Sequence, residues 1–170
     1  MMPRWMNPML VVLVLALVPV SARAWAFSDF QINGAGTAGG TCQIGTLTPV
    51  CVSNSGGQVA GTAIASGTYT LSLTAGPAGL VQATGGTCFP ANSTGQIVDA
   101  ATGDVINFKT VGMLCEAGIP GSQYYYNGAY GIDSGTGQFA TAAGGGSLTA
   151  TFQKGFDAPT FIKLDGTIAF

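Results

Sequence analysis

The residue types best suited to chemistry stand together in one stretch, YYYNGAYGIDSGTGQFATAAGGGSLTATF, at residues 124–152. Tyr124, Tyr126 and Tyr130 fall at even spacing, so on a β-strand their rings share one face. Aligned phenols can form an aromatic wall for a sugar or an apolar ligand, and they can equally fill a core. They are the candidate ligand-binding residues. Four cysteines, Cys42, Cys51, Cys88 and Cys115, supply the covalent chemistry. An even count suits disulfides. Pairing Cys42 with Cys51 closes a short loop around Pro49 and leaves Cys88 for Cys115. The alternative rests on GGTC, which occurs at residues 39–42 and again at 85–88 and could bring Cys42 to Cys88. With no His and no C-x-x-C there is no zinc pattern, and no metal or other cofactor is expected.

The remaining candidates are weaker. Without His, the Ser–His and Cys–His nucleophile pairs are excluded. Asp99 and Asp104 are the nearest carboxylates and flank the turn-like Ala101-Thr102-Gly103. They read as exposed turn residues, and no glycosidase-type pair can be assigned. Gly135-Thr136-Gly137 lacks the Lys of a phosphate loop and no helical pattern follows it, so it reads as a tight corner. Asn92-Ser93-Thr94 matches a glycosylation acceptor. No catalytic residue is assigned.

The N-terminus gives an address. Arg4 precedes an apolar run at residues 9–20, and the small-residue sites Ala22-Arg23-Ala24 and Ala24-Trp25-Ala26 follow. This is the layout of a secretory signal peptide, and the run is well short of the roughly 20 residues that span a bilayer. Residues 1–26 are therefore read as the signal, with cleavage after Ala24 as the alternative. Residues 27–170 form one domain exported to the periplasm or the extracellular space. This mature part has no Arg, three Lys and seven acidic residues, a net charge of −4. That offers no footprint for nucleic acid. No further run is long enough to span a membrane as a helix.

The elements that must carry these residues read as strands. Tyr69, Leu71 and Leu73 alternate with Thr68, Thr70, Ser72 and Thr74. Ile106, Phe108, Thr110 and Leu114 share a face opposite Lys109. Leu148, Ala150 and Phe152 form one face, and Ile162, Leu164, Ile168 and Phe170 another. Weaker strands are expected at residues 27–33, 59–65, 80–83 and 96–99, with residues 34–57 as loop. No mature segment shows sustained helical spacing. About eight antiparallel strands must hide one apolar face, as a closed barrel or, alternatively, a β-sandwich. Short connections and a last strand ending on Phe170 favour the barrel in meander order.

Tyr130-Gly131-Ile132, Ser134-Gly135-Thr136-Gly137-Gln138-Phe139, residues 140–146 and the closing Gly166-Thr167-Ile168-Ala169-Phe170 resemble a pattern in secreted bacterial proteins with allene oxide cyclase-like and dirigent-like barrels. In that pattern a strand ends in Gly-Gly-Thr-Gly-basic-Phe. Here Ser134 stands for the first Gly and Gln138 for the basic residue. The resemblance implies an eight-stranded antiparallel barrel whose interior can hold a small apolar molecule. It carries over no catalytic or binding residue. The expectation is a secreted, disulfide-containing barrel that binds a small apolar ligand or serves the envelope. The alternatives are a cyclase- or isomerase-like enzyme and a surface adhesin or assembly subunit, since Gly-rich β segments can self-associate.

Overall fold

A computed structural model describes residues 26–42, 51–76, 81–83, 86–117, 123–153 and 158–170. The signal segment, the Pro120-Gly121 turn and Asp157 lie outside the described residues. Among the described residues there are nine strands: β1 (Ser28–Cys42), β2 (Cys51–Gly61), β3 (Gly67–Ala75), β4 (Val81–Ala83), β5 (Gly86–Asp99), β6 (Val105–Ala117), β7 (Gln123–Gly135), β8 (Ala143–Gln153) and β9 (Ala158–Ala169). All pairings are antiparallel. β1 pairs with both β2 and β9, β3 pairs with both β2 and β5, and β5 to β9 follow as neighbours. Eight strands therefore close into a barrel in meander order, and the sandwich is excluded. β4 pairs with the start of β5 beyond the reach of β3, as a short hairpin outside the ring.

Alternation explains the closure. β3 is buried at every second residue from Gly67 to Ala75. The same phase runs around the wall, so Phe30, Ile32, Tyr69, Leu71, Ile97, Phe108, Leu114, Tyr126, Leu148 and Leu164 meet in one core. Most outer positions are Thr, Ser, Asn, Gln or Lys, which water can solvate, with Val111, Tyr125 and Phe161 as exposed apolar exceptions.

Several strands are longer than the sequence suggests. Residues 34–42 and 51–57, expected as loop, are strand. The strand expected at 59–65 stops at Gly61, and the one expected at 96–99 begins at Gly86. Their Gly and small residues are wall rather than punctuation. Gly36 faces Gly57 across β1 and β2, and a Cβ on Gly36 would strike the Gly56 carbonyl. Gly112 faces Gly128 across β6 and β7, where a Cβ on Gly112 would strike the Asn127 carbonyl. Close backbone approach, not turn formation, requires glycine at these pairs.

The two ends differ. At one, a short 3-10 turn (Gly137–Phe139) follows β7, and Phe139 and Ile64 are fully buried against the core. Phe170 lies edge-on to Phe139, with centroids 5.1 Å apart. This corner end is stapled by two carboxylates. Asp99 accepts from the Ala101 N–H, from Thr102 Oγ1 and from Gln138 Nε2, while Asp104 accepts from the Gln138 N–H. Asp99 is thus a buried corner staple, which corrects its reading as an exposed turn residue. The opposite end carries the bond between Cys88 and Cys115 and is called the disulfide end.

Candidate functional site: hydroxyls inside the barrel

Alternation on β7 sets Tyr124, Tyr126 and Tyr130 on the inner face, all buried. They share a face but not a common hydrogen-bond network. Tyr126 Oη lies 2.6 Å from Thr110 Oγ1, which lies 2.6 Å from Ser93 Oγ. These three hydroxyls form a chain linking β5, β6 and β7, and either end can donate. Tyr124 Oη donates to Glu116 Oε1 over 3.5 Å, the long limit of a hydrogen bond. Tyr130 packs between Phe30 and Phe108, with ring centroids 6.2 and 6.3 Å away. Its hydroxyl has no hydrogen-bond partner.

Three further hydroxyls share that condition. Ser55 on β2, Tyr69 on β3 and Thr160 on β9 are buried on the inner face and bond to no protein group. Thr160 and Ser55 flank β1 where it presents only Gly36 and Ala38 to the interior. Among the described residues these four unpartnered hydroxyls are spread along the barrel: Ser55 and Thr160 lie towards the disulfide end, whereas Tyr69, opposite Ile97, and the Tyr130 hydroxyl, beside Gly166, lie towards the corner end.

Burial keeps the phenols neutral. Tyr130 is pushed up to about 12 by desolvation, helped by the Asp165 carboxylate. Desolvation raises Tyr126, and its bond to Thr110 offsets this in part. Tyr69 is raised by desolvation, and the neighbouring Ser55 hydroxyl lowers it in part. Tyr124 is raised by desolvation first and then by the Glu116 charge. Glu116 itself is buried on the inner face at the disulfide end. The Glu116 side chain accepts the long hydrogen bond from the neutral Tyr124 phenol. Among the described residues no group of three or more His, Cys, Asp or Glu could hold a metal ion.

Cys88 and Cys115 stand directly opposite on β5 and β6 and are bonded, which removes the Cys42–Cys88 alternative. The register sets Cys42 opposite Cys51. One concavity of ≈760 Å³ crosses β1 to β3 and β5 to β7, lined by outward residues such as Thr37, Asn54, Thr70, Thr94 and the Lys109–Asp133 ion pair together with the inner-face Ser55, Leu71 and Phe108. The other, ≈250 Å³, lies over β1, β8 and β9.

Sequence reasoning placed the three tyrosines and put Thr110 on the inner face. It missed Ser55, Ser93, Thr160, Tyr69 and Glu116 as site residues. Continuing the β6 alternation past Cys115 would have turned Glu116 inward. Ser55 gave no such signal, because Ser53 and Asn54 precede it and Gly56 and Gly57 follow, with no alternating apolar residue nearby.

The fold and its interior define a closed eight-stranded antiparallel β-barrel braced by a disulfide between neighbouring strands. Among the described residues no helix is long and apolar enough to cross a membrane. No family model matches the chain, and no curated protein or solved structure matches it either.

Proposed function

We propose that this chain is an exported, non-catalytic barrel that holds a small, mainly apolar molecule inside its wall. Polar groups of that molecule meet Ser55, Tyr69, Tyr130 and Thr160. The four buried, unpartnered hydroxyls carry this reading. Each costs about 1–3 kcal/mol when left unsatisfied. Four together rival the whole stability of an ordinary domain, about 5–15 kcal/mol. A guest with hydrogen-bonding groups offsets that cost, and the surrounding Phe, Leu and Ile side chains suit an apolar body. Export is supported by the N-terminal sequence and by the disulfide, which persists in oxidising compartments. The allene oxide cyclase-like and dirigent-like resemblance points the same way.

The test is native mass spectrometry of the oxidised protein for a co-purifying molecule, with titration of N-phenyl-1-naphthylamine into the delipidated chain. Saturable binding that weakens at least fivefold in Tyr130→Phe/Thr160→Val is expected. A natively folded chain with neither a bound mass nor saturable probe binding overturns the reading.

A second reading, a cyclase- or isomerase-like enzyme, is favoured by Glu116 lying inside the wall beside Tyr124. It requires that a recovered guest be converted by catalytic amounts of protein and that Glu116→Gln abolish the conversion. A guest returned unchanged rejects it.

A further inference from the structure

The outer face of β7, β8, β9 and β1 has a composition unlike the rest of the wall. Tyr125 on β7 stands opposite Thr151 on β8, which stands opposite Phe161 on β9. The two aromatic rings project outward, 41% and 58% exposed. They are two strand spacings apart, about 10 Å. Polar rows lie on either side. Gln123 and Gln153 face each other towards the disulfide end. Asn127, Thr149, Lys163 and Asn33 follow one another across the four strands on the other side. The ≈250 Å³ concavity opens here, walled by Phe161 with Asn33, Thr149, Thr151 and Lys163.

We propose that this face binds a neutral polysaccharide, laid across the strands so that two sugar rings stack on Tyr125 and Phe161. A pyranose ring offers a flat C–H face for stacking and a rim of hydroxyls. The face offers aromatic planes bordered by carboxamides and hydroxyls, which donate and accept in the plane of such a rim. Charge argues for neutrality. Lys163 is neutralised by Asp165 at 3.1 Å, and no other charged side chain stands in these rows. A second copy of the chain fits poorly. A stable protein interface needs about 800 Å² per partner around an apolar centre. Here the two aromatics are split by Thr151 and enclosed by amides. The proposal is independent of any guest inside the barrel, because these side chains point away from it.

Affinity electrophoresis of the mature, oxidised chain tests it, in native gels cast with hydroxyethylcellulose, laminarin or glycol chitin. Retardation is expected in at least one gel, with a dissociation constant raised at least tenfold by Phe161→Ala and by Tyr125→Ala. Val111→Ala, which trims an exposed residue away from these rows, leaves it unchanged. Unfolding midpoints of the variants stay near that of the parent, since both rings are on the surface. No retardation in any gel overturns the proposal, and so does equal retardation of the parent and Phe161→Ala. A light-scattering mass that drops from dimer to monomer in Phe161→Ala, without polysaccharide retardation, also overturns it and assigns the face to a second copy.

Discussion

Tyr126 and Tyr130 are four residues apart on one strand face, both buried, yet removing their hydroxyls should change stability in opposite directions. Tyr126→Phe deletes one end of the Ser93–Thr110–Tyr126 chain at a 2.6 Å contact. The net loss for such a bond is about 0.5–1.5 kcal/mol. Tyr130→Phe deletes a hydroxyl with no partner, so the variant sheds a desolvation cost of about 1–3 kcal/mol without losing a bond. At about 3 °C per kcal/mol for a domain of this size, the two variants should melt roughly 5–14 °C apart, with Tyr130→Phe above the parent. The alkaline limb gives a second readout. An unfolded Tyr loses its proton near pH 10, whereas folded Tyr130 keeps it to about 12. Between these values the unfolded chain binds fewer protons, so stability falls as pH rises. A two-unit shift is worth about 2–3 kcal/mol at most. Tyr130→Phe should flatten that decline and Tyr126→Phe should not remove it. Denaturant unfolding of the delipidated, oxidised chain at pH 7 and across pH 9–12 makes both measurements. If Tyr130→Phe loses as much stability at pH 7 as Tyr126→Phe, the hydroxyl has a partner and the reasoning about unpartnered groups fails.

Other consequences can be measured in the same format. Breaking Cys88–Cys115, whose partners are 27 residues apart, should cost about 3.5 kcal/mol of unfolding free energy, as read by comparing Cys88→Ser/Cys115→Ser with the parent. Gln138→Arg should add about 0.5–1 kcal/mol by pairing with Asp99 and Asp104, and the gain should shrink in 1 M salt. Gly112→Ala should destabilise by about 2–4 kcal/mol, because its methyl meets the β7 backbone rather than a side chain that can move aside; a change under 0.5 kcal/mol would show that the strands can part there. Peptide mapping of the non-reduced protein should find Cys42 linked to Cys51, as their register suggests.

The sequence carried the strands that alternate large apolar with polar residues. Tyr69 to Leu73, Ile106 to Leu114 and Leu148 to Phe152 could be phased by eye, and the barrel confirmed them. It concealed the strands whose inner face is small. Gly34, Gly36, Gly57 and Gly95 occupy inward positions where a period-two pattern would show an apolar residue, so β1, β2 and β5 read as loop in part. The same vacancy of side chains hid the site. Ser55 and Thr160 acquire meaning only when β1 brings them to either side of Gly36 and Ala38, a relation set by register and not by spacing in the chain. Asp99 looked solvated because turns usually are, and it is buried because Gln138, from a different hairpin, folds against it.

The seam between β1 and β9 has a consequence for the order of events during synthesis. It is eleven residue pairs long, and its partners are about 120–140 residues apart in the chain. Ring closure therefore waits for β9. Until then β1 and β8 present bare backbone edges, and the long loop between them makes closure a slow search. A chain in that state offers two strand edges that can pair with other chains. Once β9 docks, both edges vanish together, and opening that seam again means unpairing its whole length.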